Sequence, residues 1–191
     1  MVVFSGGYLF PDASTNANGD EIKKIERCGV IPYTIINGEL HFLMSQNFKY
    51  REYGDFGGGV KADDRNIIDS AVREFFEESL GIFDAKFYRP ETYQRALIYM
   101  SRKMAIIFHY VDPVILIEAP SIFEKRFLAR QREGLNSEVC SIKLISEKFL
   151  DLLLASRRTG NGEIWVRVRN FLNENLTMMN RALLKIYSIN S

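Results

Sequence analysis

Three consecutive glycines, Gly57-Gly58-Gly59, run through a short polar stretch into a segment of helical periodicity. A glycine triplet marks backbone that must bend or come close to something. Asn66–Leu80 reads as a helix, with Asp63 or Asp64 as its N-cap. On a wheel of about 100° per residue, Ile68, Ala71, Val72, Phe75 and Phe76 gather on one side. Glu74, Glu77 and Glu78 gather on the other. Spacings of three and four make these carboxylates neighbours, and like charges so placed cost a helix about 0.2–0.5 kcal/mol per pair. A hard divalent cation would relieve that repulsion. Mg²⁺ takes oxygen ligands and is usually held by a few carboxylates, water and substrate phosphates. A glycine-rich loop before such a helix turns backbone N–H groups toward an anion. The plain alternative is a solvated acidic face, since Glu is a good helix former.

The rest of the chain supplies both strands and helices. Cys28–Ile36 and Glu39–Met44 are rich in β-branched and aromatic residues. Asn37-Gly38 between them signals a hairpin, because both central residues of a type I′ turn need positive φ. Lys86–Arg89, Ala96–Met100, Met104–Val111 and Val139–Ile145 read as further strands. Asp112-Pro113 closes the third of these. A short helix is expected over residues 121–132, another over 147–155 capped by Ser146, and a longer one over Ile164–Ile186. Strands and helices do not alternate regularly, so the expected class is α+β, a mixed sheet flanked by helices. Residues 1–24 read as a partly mobile lead-in, with a loop over 11–20, and 25–191 as one domain.

Composition narrows the classes. With 191 residues and 47% hydrophobic, the chain can bury a sizeable core. It is not a disordered polar chain, a fibre or a coiled-coil rod. Lys plus Arg number 25 against 24 Asp plus Glu, so no bulk basic charge points to nucleic acid or a membrane surface. The longest apolar runs, Met104–Val111 and Val114–Ile117, are far short of the ~18–20 residues of a membrane span. The N-terminus lacks the pattern of a secretory signal. Cys28 and Cys140 are expected as free thiols in a reducing, cytoplasmic setting.

Read as one string, Gly59 and Arg73-Glu74-Phe75-Phe76-Glu77-Glu78 resemble the Nudix box of the Nudix hydrolase superfamily, G-x5-E-x7-R-E-U-x-E-E followed by a glycine and an aliphatic residue. The likeness covers residues 57–82 and departs in two places. Arg65 stands at the family's first glutamate position, with Asp63 and Asp64 beside it as candidate acids. Ser79-Leu80 occupies the space of one residue before Gly81, which is expected to close the helix in the left-handed conformation.

The resemblance implies an α/β/α sandwich with a mixed β-sheet. It further implies Mg²⁺- or Mn²⁺-dependent hydrolysis of a diphosphate linkage in a nucleoside diphosphate derivative or other pyrophosphate-containing small molecule. Glu74 and Glu78 would be the principal metal ligands, Glu77 a further ligand or base, and Arg73 the residue that orients a glutamate. Gly58 and Gly59 would lie against the phosphates. A later acid, Glu138 or Glu133, would complete the metal site. Narrower versions are decapping of mRNA, with capped RNA as substrate, or hydrolysis of diphosphoinositol polyphosphates. A Nudix-fold binding module with little catalysis is the reading that Arg65 keeps open.

Other residues fit ordinary packing or solvation first. His41 and His109 lie on strand-like runs, and a metal-centred mechanism needs no histidine. Trp165, Tyr33, Phe56 and Tyr99 could stack on a base, but core packing suits each of them better. Lys125-Arg126, Arg130, Arg132 and Arg157-Arg158 form local basic clusters, suited to phosphate or RNA but more commonly a solvated face. Met178-Met179 reads as core filling.

Overall fold

The computed structural model describes residues 3–4, 7–9, 25–93, 96–101, 103–156, 162–173 and 179–184. Its centre is strand β3, Arg27–Ile36, which turns through Asn37-Gly38 into β4, Glu39–Asn47. Asn37 and Gly38 have φ of 52° and 78°, the pair of positive values the hairpin requires. One edge of β3 runs parallel to β8, Met104–Tyr110. The other edge is divided: Arg27–Val30 pair with β6, Phe56–Gly59, and Tyr33–Ile36 pair with β4. Pro32, which has no N–H to give a ladder, falls in the gap between the two partners.

Among the described residues, the remaining strands complete a nine-stranded mixed sheet. β9, Val139–Ser146, and the short β5, Tyr53–Gly54, pair with β4, while β7, Leu97–Ser101, pairs with β8. Within the expected lead-in, β1 (Val3–Phe4) and β2 (Gly7–Leu9) extend the sheet beyond β7. The expected loop over 11–20 lies outside the described residues.

Period-two alternation along the strands sends side chains into two cores. Cys28 and Val30 of β3, Leu43 of β4, and Ala105 and Ile107 of β8 face α1, Ile67–Glu78, and α2, Pro113–Arg132. Ile31 and Tyr33, Phe42 and Met44, and Ile106 and Phe108 face α3, Glu147–Ala155, α4, Val166–Asn173, and helical residues 179–184. The expected α+β class, with helices on both faces of a mixed sheet, is therefore the observed one.

Several local readings change. Lys86–Arg89 is not a strand, since Ala85–Tyr88 forms a turn of 3₁₀ helix. It is folded back by the Tyr88 hydroxyl, which accepts from Phe83 N–H at 3.0 Å and meets Ser79 Oγ at 2.9 Å. The short helix at 121–132 is the second half of α2, which starts at Pro113 under an Asp112 cap and runs through Pro120. The N-cap of α1 is Asn66, not Asp63 or Asp64; its Oδ1 accepts from Ile68 and Asp69 N–H at 2.9 Å each. Ser146 does cap α3. The long helix expected over Ile164–Ile186 begins at Val166, and residues 174–178 and 185–191 lie outside the described set.

Phe76 does not join the buried face of α1; it is 53% exposed and packs edge-on against Tyr88. Leu80 and Gly81, with φ of 56° and 60°, turn the chain sharply just past the helix. Gly81 N–H reaches back to the Phe76 carbonyl. The buried face is anchored by Phe75, whose ring lies 5.3 Å from Phe56, 5.2 Å from Phe83 and 5.4 Å from Tyr88. Truncating that ring leaves a cavity where helix, strand and turn meet. Phe75→Ala is expected to lower stability by about 3–5 kcal/mol, measured by urea unfolding.

Candidate functional site

The geometry of the site comes from how close α1 lies to β6. A Cβ on Gly58 would fall inside the Glu74 carboxylate, and one on Gly57 would sit 2.5 Å from the Cys28 carbonyl oxygen. Only glycine lets carboxylates and backbone approach so closely here. Gly57 N–H donates to Glu78 Oε2 at 2.8 Å. Gly59 has open space around it, and its carbonyl accepts from Arg73 Nη2 at 3.0 Å.

Arg73 ties the loop to the helix. Its Nε and Nη2 donate to the two oxygens of Asp64 at 3.1 and 3.0 Å, and its Nη1 donates to Glu74 Oε1 at 2.5 Å. This fork holds the Asp64 carboxyl down at about 2, with a smaller contribution from Lys61 N–H, against the opposing effect of burial. Asp64, not the residue at the family's glutamate position, is thus the acid that anchors Arg73. Arg65 points away, 81% exposed at its side chain, and pairs with Asp69 at 2.7 Å.

A second pair lies on the far side of Glu78. Asp55 is fully buried at its side chain and accepts from Arg27 Nη1 at 2.6 Å, while Arg27 Nη2 donates to the Gly57 carbonyl. Burial would lower the Arg27 guanidinium, but the charge and hydrogen bond of Asp55 outweigh it and hold it above its ordinary value. The Glu78 carboxyl is pushed well above the usual range, chiefly by burial and then by the charges of Asp55 and Glu74, with Gly57 N–H opposing.

Two cavities meet at these groups. One, about 390 Å³, is lined by Glu74, Glu77, Glu78 and Glu138 together with Arg130. The other, about 220 Å³, is lined by Arg27, Asp55, Tyr50 and Trp165, and shares Glu78 and Glu138 with the first. Of the acids named from the sequence, Glu74, Glu77, Glu78 and Glu138 therefore line one cavity. Glu133 does not; it ends α2 as an exposed residue. Among the described residues, no three His, Cys, Asp or Glu side chains converge as placed to hold one metal ion. The reason is local: Glu74 is turned to Arg73, Glu78 to Gly57, and the half-exposed Glu77 toward Lys61 and Arg73. The donor set nonetheless suits a hard cation. All the acids offer oxygen, Glu78 is desolvated beside like charges, and the buried Asp55 Oδ1 has no hydrogen-bond partner.

The other candidates sort as follows. Tyr33, Phe56 and Tyr99 are core residues, so none offers a face to a ligand. Trp165 is half-buried at the smaller cavity, with the Arg27 guanidinium 4.9 Å and that of Arg167 5.5 Å from its ring. His41 bonds the Glu39 carbonyl, and His109 packs on Phe87 and Tyr93, away from both cavities. Cys28 is buried and free, its thiol pushed up to about 12 by burial; Cys140 is free and half-buried. Arg126 binds the Leu80 and Gly81 carbonyls, Met179 is core, and Arg157-Arg158 and Met178 lie outside the described residues. Asp55 and Arg27 carry no assignment from sequence. Asp55 stands two residues before the glycine triplet, a signal available in principle, whereas Arg27 is brought in across the sheet from 28 residues away.

Fold and site together define an α+β protein with a carboxylate-lined cavity beneath a glycine strand. No family model matches the chain. Over 69 residues it is 41% identical to protein L534 of Acanthamoeba polyphaga mimivirus; the match takes in 34% of this chain and 22% of that protein. Similar solved structures include the C. elegans Ap4A hydrolase, at 12% identity and a TM-score of 0.41 over 86% of this chain and 96% of that one. Another is the NUDIX domain of Shewanella oneidensis NrtR complexed with ADP ribose, at 11% and 0.37 over 85% and 95%. A third, described as a NUDIX hydrolase of Listeria monocytogenes, matches at 14% and 0.40 over 80% and 94%.

The Arg73 fork generates a paired expectation. Asp64→Asn should cost about 2 kcal/mol at neutral pH, because a charge-assisted pair on a nearly buried carboxylate is lost. Asp64 titrates lower in the folded chain than its unfolded value of about 3.9, so its contribution is complete above that value. The gap between wild type and variant should narrow as pH falls from about 4 toward about 2. Arg65→Ala should change stability by less than about 0.5 kcal/mol. Urea titrations at several pH values check both.

Proposed function

We propose that this chain is a Nudix-type hydrolase that cleaves a diphosphate linkage with Mg²⁺ or Mn²⁺. The observation that carries the reading is one cavity lined by Glu138, which precedes β9, and by Glu74, Glu77 and Glu78, on a helix pressed against Gly57 and Gly58. Glu74, Glu78 and Glu138 would hold the cation, with Glu77 as a further ligand or as the base that takes a proton from water. The chemistry a bound divalent cation supplies is neutralisation of the diphosphate and a more acidic water.

The chain's own residues do the positioning. Arg73 fixes Glu74 from one side, and Gly57 N–H fixes Glu78 from the other. Desolvated carboxylates bind cations more strongly than solvated ones, so burial of Glu78 favours the cation-bound site. Tyr50 and Trp165 border the adjoining cavity, which suits the organic group of a nucleoside diphosphate derivative. A second reading, a binding module with little catalysis, is favoured by one feature: Glu74 is already paired with Arg73.

A panel of nucleotide sugars, dinucleoside polyphosphates, NADH, ADP-ribose, capped RNA and inositol pyrophosphates, run with Mg²⁺ and Mn²⁺, separates the two. On the hydrolase reading, wild type turns over at least one of them only with metal. Glu78→Gln, which removes charge and little volume, should lower kcat by about a hundredfold or more. Metal-dependent turnover that survives in Glu78→Gln would contradict the proposed site. Binding without turnover in wild type would favour the module.

A further inference from the structure

The larger cavity contains a cation that the hydrolase reading does not use. Arg130 lies in the last turn of α2 and lines the cavity together with Glu74, Glu77, Glu78 and Glu138. Its Nε is buried and has no hydrogen-bond partner. Among the described residues no ion pair holds its guanidinium, although four carboxylates line the same space. Three arginines around the two cavities are engaged elsewhere. Arg73 grips Asp64, Arg27 grips Asp55, and Arg126, one turn earlier on α2, bonds the Leu80 and Gly81 carbonyls.

Arg130 is half-buried, and its covered Nε is a donor left idle until an acceptor enters the cavity. Its planar fork fits the paired oxygens of a phosphate better than any single acceptor. The acids that share the cavity cannot serve as that partner without giving up the oxygens a cation needs. We propose that Arg130 is the anion-binding residue of this cavity and takes the non-bridging oxygens of one phosphate of a diphosphate. The carboxylates and Arg130 then divide the ligand between them, metal on one side and phosphate on the other. The proposal rests on the hydrolase reading in one respect, that the cavity receives a diphosphate. It separates from that reading because anion binding and turnover are measured independently.

The test is calorimetric titration with inorganic pyrophosphate in excess Mg²⁺ at fixed ionic strength. Wild type should bind saturably, and Arg130→Met should bind about tenfold or more weakly with an unchanged melting temperature. Arg130→Lys keeps the charge but not the fork, and should recover part of the affinity. Arg132→Met, at an exposed arginine of the same turn, should stay within about twofold of wild type. On any substrate the panel identifies, Arg130→Met should raise KM more than it lowers kcat. Absence of saturable binding to wild type, or equal affinity in Arg130→Met, overturns the assignment. Turnover that depends on Glu78 while pyrophosphate affinity ignores Arg130 would overturn this inference and leave the hydrolase reading standing. The reverse result, Arg130-dependent binding with no metal-dependent turnover, would uphold the anion site and remove the hydrolase.

Discussion

The near-contact between the α1 carboxylates and the β6 backbone is what the rest of the site depends on. Glu74 occupies the space that a side chain on Gly58 would fill, and Glu78 takes the Gly57 N–H. Both contacts require a helix packed flat against a strand that has no side chains at those points. Phe56 and Phe75 supply the packing a residue or two away, so the apolar core sets the separation at which the polar groups meet. Core packing and site chemistry are adjacent stretches of one interface.

Arg73 converts that interface into a fixed geometry. It spans Asp64, the Gly59 carbonyl and Glu74, joining the loop that enters the helix to the helix itself. The departure at Arg65 loses its apparent importance in this light. The acid that Arg73 needs sits one residue earlier, on a loop whose Lys61 N–H also bonds Asp64. A one-residue shift in a loop is tolerated because the guanidinium fork reads the position of a carboxylate and is indifferent to its place in the chain.

What the sequence made legible follows physical range. The Asn37-Gly38 hairpin and the Ser146 cap are set by residues within a turn of one another, and both are found. The acidic spacing of α1 likewise places Glu74, Glu77 and Glu78 along one cavity, with Glu138 joined from β9's entry. Lys86–Arg89 was misleading because its apolar, aromatic character serves a 3₁₀ turn pinned by the Tyr88 hydroxyl, a tertiary contact with no local signature. Phe76 looked buried on the wheel but sits at the edge of the apolar stripe, where Tyr88 covers only part of it. Asn66 stands beside two acids that are equally good caps by residue type, and only the entry angle of the chain decides that the amide oxygen takes the role. Arg27 reaches the site across the sheet with no local signal, Asp55 is marked only by its place two residues before the glycines, and the basic cluster that holds Arg130 suggests phosphate without locating it beside the acids.

The divided edge of β3 has a consequence for how such a scaffold can change. Its first half carries the glycine strand and its second half the hairpin, with Pro32 at the parting. The two stretches are anchored to the central strand independently, so residues 49–52 between β4 and β5 can change without dragging the acids of α1 along, while Phe48 stays tied to the Glu138 carbonyl. Alteration of what the smaller cavity admits is thereby uncoupled from upkeep of the carboxylate end, and a single backbone could serve successive ligands while its reactive face stays put.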